Sequence, residues 1–264
     1  MSNEMRQRFR ELHKEGLFVM PNPWDVGSAR LLASHGFSAL ATTSSGHATT
    51  LGRPDQGVSL DELIEHCDAL VHAIEVPLNV DAEYCFSTEL SGIANTVTRI
   101  AGTGAAGLSI EDFNPTSKRI DPIDVATERV AAAVEAAGQH GLVLTARAEN
   151  HVYGIDDLAD TINRLSRYRD VGADVVYAPG LIDLGDIARV VSEVGIPVNV
   201  LARANSPSIP ELESVGVRRV STGGNLARAA YSELLRAAAE LQATGTSTYA
   251  DRAISLADLN AAFS

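Results

Sequence analysis

The sequence predicts an α/β chain folded as a single (β/α)8 barrel of the TIM type. Short apolar runs alternate with longer helical stretches about eight times, the turns between them are short, and 264 residues with 45% hydrophobic content suit one closed barrel. No linker or composition break divides residues 1–264, so one domain is expected, with 246–264 as a tail.

Met1 to Gly16 reads as a polar helix, and Leu17-Phe18-Val19-Met20 as the first strand, closed by Pro21-Asn22-Pro23. A helix from Trp24 to His35 ends at Gly36, a residue suited to a C-terminal cap. Ala39-Leu40-Ala41-Thr42 is the second strand, and the small, polar Thr43-Ser44-Ser45-Gly46-His47 opens a long loop through Asp55. Ser59-Leu60-Asp61-Glu62 is a capping box that starts a helix reaching Glu75. Leu78-Asn79-Val80-Asp81-Ala82-Glu83 is the third strand, and Leu90–Ala101 its helix.

The alternation continues with Gly107-Leu108-Ser109-Ile110, ending in Glu111-Asp112, then an alanine-rich helix from Asp121 to Gly138. Leu142–Ala146 leads to Arg147 and a helix over 155–171. Ala173–Tyr177 precedes a helix over 183–194, and Pro197–Val200 a short helix over 210–215. Arg219-Val220-Ser221 is the eighth strand, followed by the long helix Asn225–Ala243. Ile254–Asn260 adds a small amphipathic helix in the tail.

The net charge of −13, without a basic stripe, speaks against nucleic acid and anionic membranes as partners. No run reaches the roughly 18 apolar residues of a membrane span, and Met1–Leu17 lacks the apolar core of a signal peptide. Two cysteines, Cys67 and Cys85, are too few for a disulfide framework, so a cytoplasmic protein is expected. Gly102-Thr103-Gly104 precedes a strand and is a turn, not a dinucleotide fingerprint. No nucleophile elbow supports Ser-His-Asp catalysis.

In such a barrel, active-site groups sit at the C-terminal strand ends. Asp81 and Glu83 are two apart, so an extended strand would send both to one side. Such a pair is either two solvated surface acids or a site whose repulsion a hard cation relieves. Glu111 and Asp112 end strand four, Arg147 and Glu149 follow strand five, and Asn199 and Arg203 lie at or after strand seven. Together the acids and Arg147 suggest a cation plus a carboxylate or phosphonate. Ser45-Gly46 offers a backbone that approaches an anion closely.

The Asp-x-Glu of strand three, Ser109-Ile110-Glu111-Asp112, Thr145-Ala146-Arg147 and Thr43-Ser44-Ser45-Gly46 resemble the isocitrate lyase/phosphoenolpyruvate mutase superfamily. The likeness runs in order from Pro21-Asn22-Pro23-Trp24-Asp25 to Gly216-Val217-Arg218-Arg219-Val220-Ser221. It implies Mg2+ (or Mn2+) chemistry on a small 2-oxo or 2-hydroxy carboxylic acid through an enolate-like intermediate. Asp81 would be the main metal ligand, with Glu83, Glu111 and Asp55 holding the ion directly or through waters. Thr43, Ser45, Gly46, Arg147 and Asn199 would bind the substrate; Arg147, Asp55 and His47 are the catalytic candidates. The resemblance also implies a homodimer or homotetramer that exchanges its C-terminal helix.

Two departures shape the expected reaction. The lyases carry a Lys-Lys-Cys-Gly-His loop after strand four, where this chain has Asp112-Phe113-Asn114-Pro115-Thr116-Ser117-Lys118-Arg119, read as a solvated loop. Tyr84-Cys85-Phe86 stands where the family usually has a glycine, with bulk that would narrow or reshape the pocket; Cys85 is read as a small packed hydrophobe, with replacement of the missing thiol as the alternative. The expected activity is carbon–carbon cleavage of an oxaloacetate-like or methylisocitrate-like acid. A phosphonomutase and a non-catalytic organic-acid binder are the alternatives.

Overall fold

The computed structural model describes residues 2–264; Met1, expected to begin the first helix, lies outside them. The elements are α1 (Ser2–Leu12), β1 (Phe18–Met20), α2 (Val26–Ser34), β2 (Leu40–Ala41), α3 (Ser44–Thr50), α4 (Leu60–Ala73), β3 (Leu78–Asp81), α5 (Leu90–Gly102) and β4 (Gly107–Glu111). They continue with β5 (Phe113–Asn114), β6 (Arg119–Ile120), α6 (Ile123–His140), β7 (Val143–Arg147), α7 (Leu158–Asp170), β8 (Val175–Tyr177) and α8 (Leu184–Val194). Last come β9 (Val198–Leu201), α9 (Ile209–Ser214), β10 (Arg219–Ser221), α10 (Asn225–Thr244), a 3-10 turn at Thr248–Arg252 and α11 (Leu256–Phe263).

Eight parallel strands run in the order β1-β10-β9-β8-β7-β4-β3-β2. The two outer strands meet where Ala41 N–H donates to the Pro21 carbonyl at 3.1 Å. Asn22, buried at the same seam, donates to Thr42 O at 2.7 Å and accepts from the Thr222 and Gly223 amides at 2.9 Å. These bonds close the sheet into a (β/α)8 barrel.

Period-two alternation sorts the strand residues. Val80, Leu108, Ile110, Leu144, Val176, Val198, Val200 and Val220 belong to the main core under the helices. Asn79, Ser109, Arg147, Tyr177, Asn199 and Ser221 line the barrel's interior cavity. An ordinary barrel fills its interior with branched apolar side chains; here the layer toward the C-terminal strand ends is polar.

The N-terminal end of the barrel is plugged by α1. Phe9, fully buried, packs with Met20, Ala41, Ala106, Val143 and Val175, and the Arg6 guanidinium donates to the carbonyls of Ala101, Ala105 and His140. Gly107 must lack a side chain here, because a Cβ would stand 2.7 Å from both Phe9 Cε1 and Val143 O.

The capping box predicted at Ser59 and Glu62 opens α4. Three expectations change. The loop after strand two contains α3, capped by Thr43, whose seven residues are too short and too small to show an amphipathic period. The segment after strand four is a β5–β6 hairpin rather than a solvated loop, with Asn114 Oδ1 accepting from the Thr116 and Ser117 amides across its turn. Strand three stops at Asp81, and Glu83, Cys85 and Phe86 take left-handed conformations with φ of 49°, 57° and 54°.

The tail helix α11 lies against α2 of its own chain, with Arg30 Nη1 donating to Phe263 O at 2.6 Å. No helix among the described residues is long and apolar enough to cross a membrane.

Candidate active site

The strand ends surround a cavity of about 210 Å³. Strand tilt makes neighbouring strands pair residues at successive depths. One continuous line of paired residues, Glu111, Arg147, Tyr177, Asn199 and Arg219, runs from strand to strand through the wall.

Arg147 holds the centre. Its Nη1 lies 2.8 Å from Asp81 Oδ1, its Nη2 3.2 Å from Glu111 Oε2, and its Nε 2.7 Å from Glu149 Oε1. Asp81 also accepts from the Ser44 amide at 3.3 Å, and its own N–H donates to Thr42 Oγ1 at 2.8 Å. Gln56 reaches Glu111 Oε1 at 3.5 Å. Glu83 arrives by a turn, not by strand alternation: its carbonyl accepts from Glu111 N–H at 3.0 Å, which fixes the turn beside strand four.

Five carboxyl groups line the cavity (Asp55, Asp81, Glu83, Glu111 and Glu149) against the guanidinium groups of Arg147 and Arg219. Burial, with Asp81 and Asp55 nearby, pushes Glu83 up to about 8. Burial likewise lifts Glu149 to about 7 despite Arg147, and raises Glu111 and Asp55.

As they stand, no three acidic, histidine or cysteine side chains among the described residues converge on one point, because the Arg147 guanidinium lies between them. The donor chemistry nevertheless fits Mg2+, which prefers a few carboxylate oxygens plus water and substrate oxygens. The surplus of buried acid is the charge that such an ion compensates.

Of the residues named from the sequence, Thr43, Ser45, Asp55, Asp81, Glu83, Glu111, Arg147 and Asn199 all line the cavity. Asn199 is held at both ends: Oδ1 accepts from Arg219 Nε at 2.8 Å, and Nδ2 donates to Ser221 Oγ at 2.9 Å. Ser45 sits against Gly224, where a Cβ would come within 2.4 Å of its hydroxyl oxygen.

Gly46 and His47 do not line it. The Gly46 amide donates to Thr43 Oγ1 as part of the α3 cap, and a Cβ there would strike Thr43 and Trp24, so this glycine serves packing rather than anion binding. His47 turns outward and stacks on His66, with ring centroids 3.7 Å apart. A helical turn puts positions 45 and 47 on different faces, which the loop reading concealed.

Tyr84 and Cys85 also leave the cavity free. Tyr84 Oη donates to Asp121 Oδ2 at 2.6 Å and accepts from Asn114 Nδ2 at 3.1 Å, so it anchors the β5–β6 hairpin. Arg129 lies over the Tyr84 ring at 3.4 Å and donates to the Tyr84 and Ser87 carbonyls. Cys85 is fully buried in the core, where burial pushes its thiol up to about 12. It therefore does not replace the lyase cysteine.

The sequence reading gave no role to Arg219, Tyr177, Asn79, Asn22, Gln56 or Tyr153, all of which line the cavity. Arg219 is 2% exposed and bonds only neutral groups: Asn199, Thr145 Oγ1 at 2.9 Å and His13 Nε2 at 3.2 Å. Burial lowers its guanidinium to about 9. The signal for it was present, since alternation puts Arg219 on the same face as Ser221.

The chain is similar to proteins that have been named or solved. A Burkholderia cenocepacia J2315 structure, described provisionally as a lyase/mutase, superposes with a TM-score of 0.96 at 45% identity, covering 100% of this chain and 96% of that one. The 2-methylisocitrate lyase of Salmonella typhimurium is 29% identical over 73% of this chain and 68% of its own. Oxaloacetate decarboxylase 1 of Pseudomonas putida is 26% identical over 89% of this chain and 82% of its own. With the phosphoenolpyruvate phosphomutase profile matching residues 9–242, the chain belongs to that family, within the isocitrate lyase/phosphoenolpyruvate mutase superfamily.

Proposed function

We propose that the protein is a Mg2+-dependent carbon–carbon lyase acting on a small 2-oxo dicarboxylate of the oxaloacetate type. The observation that carries this is Arg147 held among Asp81, Glu111 and Glu149 at adjoining strand ends: a cation for the substrate's carboxylate, within acids suited to an ion. Asp81, Glu83 and Glu111 would hold the ion, with Asp55 through water. When bound, it supplies stabilisation of the negative charge that develops at the 2-oxo oxygen.

Arg147 binds and orients a carboxylate, and Asn199, fixed by Arg219 and Ser221, offers its second amide N–H to the ligand. Thr43 and Ser45 contribute hydroxyls from the opposite wall. In decarboxylation the bond between the terminal carboxyl group and C3 breaks and that carboxyl leaves as carbon dioxide; the electron pair passes toward the 2-oxo group as an enolate, and C3 then takes a proton. No cysteine or histidine lines the cavity among the described residues, so that proton comes from water or from one of the cavity's own raised carboxyl groups, not from a thiol. This favours decarboxylation or hydrolytic cleavage over the thiol-dependent route of the isocitrate-type lyases. The phosphonomutase alternative loses support in the hairpin, because Asn114 is committed to Tyr84, Asp121 and its own turn.

The test is turnover of oxaloacetate, 2-methylisocitrate, isocitrate, phosphonopyruvate and phosphoenolpyruvate with Mg2+ or Mn2+, reading pyruvate, glyoxylate and phosphate. Pyruvate from oxaloacetate is the expected result. Turnover of none, with tight binding of oxalate, would leave the organic-acid binder.

A further inference from the structure

Two depressions meet at the mouth of the barrel. The inner one is the cavity of about 210 Å³ already described. The outer one, about 460 Å³, is lined by Asp55, Gln56, Phe113, Pro115, Lys118 and Tyr153. Tyr153, Asp55 and Gln56 belong to both, so they form the threshold between them.

Tyr153 is the bulkiest of the three, and its position is fixed from two sides. Its ring stacks on Phe113 of the hairpin, with centroids 3.8 Å apart and planes within 5°. Its backbone belongs to a turn after Arg147 in which the Val152 and Tyr153 amides both donate to the Glu149 carbonyl. Asn150, fully buried, secures the far side of that turn through Thr161 Oγ1 at 2.6 Å and the Ile155 carbonyl. Phe113 is itself 6% exposed, in the hairpin anchored by Tyr84, Asn114 and Asp121. Tyr153 is 45% exposed, with one support for its ring in Phe113, and that ring stands as a partition between the two depressions.

We propose that Tyr153 is a specificity-determining residue: its ring separates the inner cavity from the outer depression and restricts the site to unbranched acids of about four carbons. The inference rests on the 2-oxo-acid reading of the cavity. A dry cavity of about 150 Å³ takes benzene, so the inner cavity takes roughly eight or nine non-hydrogen atoms, and a four-carbon 2-oxo dicarboxylate with the ion already fills it. A branched tricarboxylate is larger and would have to occupy the space of the ring. Removing the ring joins the two depressions and admits the larger acid, whose outer carboxylate would then reach the depression that Lys118 lines.

The experiment measures dissociation constants by calorimetry with Mg2+ present, using two unreactive acids, oxalate and tricarballylate, on the wild type, Tyr153→Ala and Tyr153→Phe. The wild type is expected to prefer oxalate, Tyr153→Ala to narrow that preference by about tenfold or more, and Tyr153→Phe to keep it. An unchanged ratio in Tyr153→Ala, or a loss of preference in Tyr153→Phe equal to that of Tyr153→Ala, overturns the partition. If the wild type binds neither acid with Mg2+, the 2-oxo-acid reading fails and takes this inference with it. If it binds oxalate and the ratio does not move, the partition alone fails.

Discussion

Arg147 donates to Asp81 at 2.8 Å across the intervening strand, tying β7 to β3 over the end of β4. The same guanidinium meets Glu111 on that middle strand and Glu149 beyond its own. Three adjoining strand ends are therefore held by one cation, and the groups that would bind an ion are the groups that hold the arginine.

Replacing Asp81 separates those two roles. Asp81→Ala removes the carboxylate that accepts from both Arg147 and the Ser44 amide. It is expected to abolish Mg2+-dependent oxalate binding while leaving the circular dichroism spectrum and cooperative melting intact. Calorimetric binding equal to the wild type would sink the metal assignment.

Arg147→Gln leaves Glu111 and Glu149 buried without their counter-charge. Breaking a buried pair in this way costs about 3–5 kcal/mol. The cost is expected to be greater at pH 8 than at pH 5.5, because protonation relieves the stranded acids. Urea melts at both values check it; an equal loss at the two would contradict the charge argument.

His66 supplies a pH dependence remote from the acids. Burial holds its imidazole down at about 3, and its Nε2 has no partner. Below pH 6.5 the unfolded chain takes up a proton that the folded chain refuses, so stability falls as pH falls, by up to about 1.4 kcal/mol per unit, until about pH 3. His13, also lowered to about 3, adds a slope of the same sign. His66→Phe keeps a ring against His47 and is expected to flatten the acid limb of the melting-temperature profile. A profile parallel to the wild type would show that His66 does not contribute.

Assembly with a second copy is a further expectation, and exposed leucines on the outer surface are where it would be looked for. Leu234 and Leu235 on α10 are 62% and 69% exposed, and Leu256 at the start of α11 is 78% exposed. We expect a dimer or tetramer by light scattering, and a smaller assembly when residues 246–264 are deleted. A monomeric full-length chain would remove the assembly proposal.

The barrel was legible because most strands are short apolar runs in regular alternation with helices, and their C-terminal ends told where polar groups would gather. That rule placed Asp81, Glu111, Arg147 and Asn199 on the cavity wall. It failed where direction depends on something other than alternation. Glu83 enters through a left-handed turn that a non-glycine residue rarely adopts. His47 leaves because a short helix forms where small residues suggested a loop. Tyr84 is drawn away by Asp121 and Asn114, partners more than twenty residues distant in sequence. Tyr153 depends on a contact with Phe113 that no local pattern announces; Arg219 was within reach of the alternation rule, though the partners that hold it, Asn199, Thr145 and His13, come from distant segments.

The line of paired residues from Glu111 to Arg219 carries acid at one end and, at the other, a buried guanidinium bonded only to neutral groups. The barrel is thus electrically polarised along its axis. A positive ion gains most at the rim, whereas an anion that has passed the rim gains by moving deeper. A dicarboxylate held by Arg147 at the rim therefore gains by turning its other carboxylate inward, toward Arg219.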